Sequence, residues 1–408
     1  MKLAWITLLC TSVVGCDAVE AVDDASESSC AKCDTPTPLP DGCAVVRTSG
    51  GPRGTLVDYA ITRTDTQWLL TSDQDGYSTL WEREGEGAWQ LHELDRSCRY
   101  GVLALDREER AALACGVQSA TYPRDNDVEL YTTDSQEPWQ RAYSAMSGGG
   151  WQSNPDSTGG DPLSLVFDEQ NRPHIVVGHT TNGSERSSYL LASRVGGTWS
   201  SRRLWNETSG AQHDRNHRVL ARDGELYFAF KAGGKANVEL KRIRPGDADA
   251  VVTVHGTDAR ASGFGDDFEL IPDPSDATAW HVVTTDSSTI YRDLIEPGYV
   301  AYERVVGDSA GRRSYVDGPL PIHDRRAGVA GASAALRPDG RLLVSYDAYG
   351  QEALRVAYRD GNAWVRTDLW FDGEVGNNVL RLDRSGHMHI AVENRTTGSI
   401  EMREERCQ

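Results

Sequence analysis

The stretch Gly331 to Trp370, GASAALRPDGRLLVSYDAYGQEALRVAYRDGNAWVRTDLW, constrains the fold more than any other part of the chain. Ala332 to Arg337 reads as a first strand and Pro338-Asp339-Gly340 as a tight turn. Leu342, Val344 and Tyr346 share one face of a second strand, and Leu354, Val356 and Tyr358 share one face of a third. Asp360-Gly361-Asn362 then turns the chain into a fourth strand that opens at Trp364. Alternation with a period of two, broken by Pro, Gly, Asp and Asn, marks antiparallel strands joined by short turns. One four-stranded sheet cannot bury both of its faces, so a unit of this kind is stable only when copies of it stack.

The unit recurs along nearly the whole sequence. Turns between a first and a second strand fall near Asp65, near Asp106, at Asp168 to Arg172, at Arg222 to Gly224, at Asp273 to Asp276, at Pro338 to Gly340 and at Asp383 to Gly386. Second strands follow them as TQWLLTS, ERAALAC, RPHIVVGH, ELYFAFKA, TAWHVVTT, RLLVSYD and GHMHIAVE. Trp89, Trp139, Trp199 and Trp364 open fourth strands and are expected to pack between neighbouring sheets. The prediction is an all-β, seven-bladed β-propeller of four-stranded antiparallel blades over residues 43–408. Six blades is the alternative, because copies 2 and 5 match least well. The seventh copy has no fourth strand before Gln408, and Ala44 to Thr48 is predicted to supply it, so that an N-terminal strand closes the ring. A chain of 408 residues is too long for one ordinary core, but blades that pack only on their neighbours escape that limit.

The repeated D-x-x-G-x-apolar-apolar pattern, a third strand of the L-R-V-A-Y-R type and G-x-x-W together resemble exported bacterial propellers with sialidase-like or BNR-type blades. The resemblance speaks for fold. The sialidase Asp-box, S-x-D-x-G-x-T-W, is only faintly echoed at Arg359 to Trp364 and at Ser193 to Trp199. No arginine triad or carboxylate pair can be picked out by spacing, because Arg, Asp and Glu occur throughout.

At the N-terminus, Met1-Lys2 is followed by an apolar run, Leu3 to Val14, too short to span a bilayer, and then by Val13-Val14-Gly15-Cys16. This resembles a bacterial lipoprotein signal, which implies a signal peptide over 1–15 and lipidation of Cys16. Residues 16–42 are acidic and rich in Ser, Pro and Thr, and read as a lipidated flexible tether. Export favours disulfides among the remaining cysteines. Cys98 and Cys115 flank the turn near Asp106 almost symmetrically, and Cys43 and Cys407 lie on the two strands that would meet at ring closure. Cys30 and Cys33 are either a staple in the tether or a redox pair; no thioredoxin-like pattern surrounds them, which favours the staple.

A net charge of -19 leaves no basic field for nucleic acid. His213-Asp214-Arg215, continuing to His217, precedes the first strand of blade 4, and His323-Asp324-Arg325 precedes that of blade 6. Asp266 and Asp267 of blade 5 and Asn377-Asn378 of blade 7 arrive by the same route. These connections meet at one end of the central channel, where imidazole, carboxylate and guanidinium groups can hold a sugar or an acidic ligand, or pair with neighbouring blades. His213 and His217 have zinc-like spacing but run into a strand rather than lying on a helix, so no metal site is assigned. Calcium has two incomplete loops, Asp73 to Gly76 and Asp125 to Glu129, and no other cofactor is suggested. The expectation is a monomeric, lipid-anchored envelope protein that binds a glycan or a protein at the channel mouth. The alternatives are a polysaccharide-active glycoside hydrolase or lyase, and a structural envelope protein with no small ligand.

Overall fold

The computed structural model describes residues 33, 35–39, 41–48, 50–94, 97–118, 126–134, 137–146, 163–180, 187–206, 217–231, 237–244, 247–255, 268–286, 290–291, 294–295, 298–307, 309–320, 331–347 and 352–407. Strands fill seven antiparallel blades at 55–92, 98–146, 163–206, 217–255, 268–320, 333–370 and 375–407, and there is no helix among the described residues. Seven is therefore the count, and the six-bladed alternative falls. Blade 5 carries an extra short hairpin, 290–295, and its outer strand is split, which explains its weak match to the repeat.

The core is divided by seam rather than shared. Seven separate apolar clusters each join two adjacent blades; in the seam between blades 6 and 7, for example, Leu343, Leu354 and Val356 meet Val375, Leu380 and Ile390. Alternation makes this arrangement. In the second strand of blade 2, Leu113 packs towards blade 1 while Ala112 and Ala114 pack towards blade 3. Trp89, Trp199 and Trp364 enter the seams as expected; Trp364 lies edge-on to Tyr302 of blade 5 with centroids 5.6 Å apart.

The first-to-second-strand turns share one local design in several blades. Asp106, Asp168 and Asp383 each accept two amides of their own turn, from residues two and four positions on, at 2.8 to 3.0 Å. The fourth residue of each loop has a positive φ: Glu109, Asn171, Gly340 and Gly386 lie between 57° and 83°. These turns also touch their neighbours. Arg63 pairs with Glu109 at 2.6 Å, and Arg107 donates to the Asp168 carbonyl at 3.1 Å. The Gly224 amide donates to Glu169 at 3.0 Å, and Arg222 caps the carbonyls of Asp273, Asp276 and Ala279 at 2.5 to 2.8 Å. The turn end of the ring is thus fastened, and the opposite end is where first strands begin and second strands finish.

The N-terminal strand Cys43–Arg47 pairs with Ser399–Cys407 and completes blade 7, with Cys43 directly opposite Cys407 and bonded to it. Cys98 and Cys115 form the second disulfide, within blade 2. Cys33 is disulfide-bonded as well, and Cys30, its expected partner, lies outside the described residues. Packing starts ahead of Cys43: Thr37 and Pro38 pair with Val45 and Ala44, Leu39 and Cys33 are buried, and Asp41 accepts from Arg337 and Arg341 at 3.2 and 3.1 Å. The stretch read as tether therefore ends in a strap laid over the seam between blades 6 and 7.

Candidate functional site

Of the residues singled out for the channel mouth, His213, Asp214, Arg215, Asp266, Asp267, His323, Asp324 and Arg325 lie outside the described residues. His217 is described, and it is fully buried. It packs between Tyr189 and Phe228, and a ring nitrogen meets the Val176 carbonyl at 3.3 Å, inside the seam between blades 3 and 4. Asn377 and Asn378 stand at the mouth and join blades: the Asn377 amide donates to the Leu56 carbonyl at 3.1 Å, and that of Asn378 to the Gly331 carbonyl at 2.6 Å.

Beside those asparagines the structure brings together carboxylates that the spacing of residues did not single out. Asp347 closes the second strand of blade 6 and Glu393 stands at the equivalent place in blade 7, each the sixth residue of its strand counted from Leu342 and Met388. Side-chain direction follows from the neighbours. Ser345 donates to Asn378 of blade 7, and Tyr346 donates to Asp317 of blade 5 at 2.8 Å, so Asp347 faces blade 7. Glu393 shares its face with Ala391, which packs on blade 1, and it accepts the backbone N–H of Asn377 at 3.4 Å. A carboxylate thus stands on each side of the first strand of blade 7.

Two further groups lie between them. Arg395 pairs with Glu374 at 3.1 Å, and Gly376 brings its backbone so close that a Cβ there would sit 2.8 Å from Arg395 Nε and 3.0 Å from the Glu393 carboxyl carbon. Asp347 is 2% exposed, and none of the described residues donates a hydrogen bond to it. Burial pushes its carboxyl up to about 7, with Glu374 adding to the rise and Arg395 opposing it. Burial also raises Glu393, against the pull of Arg395 and of two backbone amides. A carboxylic acid that burial pushes up towards neutrality at a strand end is a mark of functional sites. The sequence carried one trace of them: at this position the other blades have Ser72, Gly116, Gly178, Lys231 and Thr285, and only blades 6 and 7 have an acid.

A second constellation, at the turn end, looks like a catalytic triad. His174 contacts Asp168 at 3.1 Å and Ser193 at 2.8 Å. The same histidine position recurs in blade 5, where His281 meets Asp273 at 3.4 Å and Tyr302 at 2.9 Å, and in blade 7, where His389 meets Asp383 at 3.5 Å and Glu404 at 3.9 Å. A nucleophile replaced by Tyr and Glu in sister blades is not conserved chemistry within the ring, whereas the Asp-to-His contact is constant. The histidines extend the turn aspartate's grip to the third strand. Burial lowers His174 and His281, so both rings are neutral near pH 7 and this contact is a hydrogen bond rather than an ion pair.

Among the described residues, the one cluster with metal-ligand spacing is Cys43, Glu405 and Cys407, and both of its sulfurs are consumed by the disulfide. Asp73, the first residue of one incomplete calcium loop, spends an oxygen on the amides of Asp75 and Tyr77.

These features define the chain as a β-propeller. It matches no protein-family model and no curated protein. Among solved structures it resembles the BP39L lectin from Burkholderia pseudomallei, at 12% identity over 84% of this chain and 96% of that one, with a TM-score of 0.52. It also resembles the polysaccharide lyase Uly1, at 8% identity over 88% and 91% with a TM-score of 0.51, and the NanB sialidase from Streptococcus pneumoniae, at 9% over 86% and 85% with 0.49. At these identities the first two likenesses establish the fold alone, and the third, below one half, adds nothing to them.

Proposed function

We propose that this chain is a lipid-anchored envelope protein that binds carbohydrate at the mouth formed by blades 6 and 7. The observation that carries the reading is Asp347, a carboxyl group buried at the end of the ring opposite the fastened turns, with Glu374 and Arg395 beside it. Such groups accept and donate hydrogen bonds to sugar hydroxyls from a rigid frame. The lectin and the lyase that share this ring lend support by analogy of fold only. An enzymatic reading is favoured by one detail: a carboxyl near neutrality is suited to proton transfer.

A glycan array and a polysaccharide-depolymerisation screen with the detergent-solubilised full-length protein test both readings. Binding without cleavage that is lost in Asp347→Asn supports the binding protein. New chain ends that vanish in the same variant make it an enzyme, and no response to any glycan removes carbohydrate from consideration. The anchor has its own test: Cys16→Ser is expected to move the protein from the membrane fraction to the soluble fraction, and retention in the membrane would refute it.

A further inference from the structure

We propose that the sugar held between blades 6 and 7 bears an ammonium group, as in a de-N-acetylated hexosamine, with Asp347 as its counter-ion. This rests on the reading of that mouth as a carbohydrate site. Glu374 and Arg395 lie close enough to act on both Asp347 and Glu393, and Arg395 already pairs with Glu374 at 3.1 Å. Among the described residues, three carboxyl groups stand here against one guanidinium. Asp347 is the critical member: it is 2% exposed and receives no hydrogen bond from the described residues, although its neighbour Ser345 on the same face is bonded to Asn378.

Three kinds of sugar can be compared at such a place. A uronate or sialate brings a further anion against desolvated carboxylates and is repelled. A neutral hydroxyl supplies one hydrogen bond but no charge to offset the cost of ionising Asp347. An ammonium supplies charge and donors together, so the carboxylate can ionise in place. Packing sets the approach. Gly376 keeps the first strand of blade 7 free of a side chain where Arg395 and Glu393 converge, and Asn377 and Asn378 pin that strand to the blades on either side.

The probes are tetramers of β-1,4-linked glucosamine and of N-acetylglucosamine, and a tetragalacturonate, titrated calorimetrically into the detergent-solubilised full-length protein at pH 6.5. The glucosamine tetramer is expected to bind at least about ten-fold tighter than its acetylated counterpart, with the uronate weakest, the size of effect that one desolvated charge pair commonly carries. Asp347→Asn, which keeps the shape of the side chain, is expected to erase that preference, and Glu393→Gln to weaken it. Equal or tighter binding of the acetylated tetramer or of the uronate, lost in Asp347→Asn, overturns the ammonium and leaves the carbohydrate mouth standing. Binding of the glucosamine tetramer that neither substitution alters places the sugar elsewhere and overturns both.

Discussion

Single carboxylates in this protein sit at opposite extremes of partnership, and stability should register the difference. Asp317 of blade 5 is buried, which pushes its carboxyl up, but hydrogen bonds from Arg355 and Tyr346 at 2.8 Å, with Arg366 close by, outweigh burial and hold it below its usual range. Asp317→Ala would leave Arg355 and Tyr346 facing an empty place in the seam between blades 5 and 6. The expected loss is about 3–5 kcal/mol in a urea melt, as for a broken buried pair. Asp347 is the reverse case. Its folded value of about 7 lies above the ordinary 3.8, so the folded chain holds a proton that the unfolded chain releases. Stability should therefore fall as pH rises from about 4 to about 7, by a few kcal/mol at most. Asp347→Asn should flatten that slope and raise the melting temperature at pH 8 while changing little at pH 4, and an unchanged slope would show that Asp347 titrates normally. A residue that costs stability where it stands is what a binding site often contains.

Strands and turns were the most legible level, because their causes are local. The seven first-to-second-strand turns fall where Asp, Gly and Asn punctuate the alternation, and the aspartates act by accepting their own turn's amides. Gly340 tests this design. Its φ of 83° suits glycine, and a Cβ there would meet nothing, so Gly340→Ala isolates backbone strain without a clash. A loss of about 1 kcal/mol is expected in thermal unfolding. Asp383→Ala should cost about 1–2 kcal/mol, since it strips acceptors from the amides of Ser385 and His387. His217 shows the limit of local reading. As a polar residue just before a strand it looked available to a ligand, but its position in the blade turns it into an aromatic seam, which only the packing of blade 4 on blade 3 could reveal.

The ring as a whole depends on how its ends are joined. Blade 7 takes its outer strand from the N-terminus, so the first and last parts of the chain are joined by a ladder, a disulfide, the apolar cluster of Leu56, Tyr59, Ala391 and Met402, and a buried polar group in which Arg83 of blade 1 donates to Gln67 at 2.7 Å and to Glu404 of blade 7 at 3.1 Å. Cys43 and Cys407 are 364 residues apart, so in the chain-entropy view their bond restricts the unfolded chain by about 6 kcal/mol, against about 3 kcal/mol for Cys98 and Cys115, 17 apart. Replacing Cys43 and Cys407 by Ser should lower the melting temperature more than replacing Cys98 and Cys115. It should also expose the N-terminal strap to protease first, and equal effects of the two double variants would mean that ring closure does not depend on the terminal bond.

Blade number, strand order, closure by an N-terminal strand and the two cysteine pairs were all readable from residue order, because each follows from alternation, turn chemistry or symmetry about a turn. The mouth was not. Asp347, Glu374, Glu393 and Arg395 are ordinary acidic and basic residues in a chain full of them, and their significance comes from which strand ends the ring sets side by side and which of them it strips of water. Burial and missing partners are properties of the seam between two blades, and no single blade's sequence encodes them.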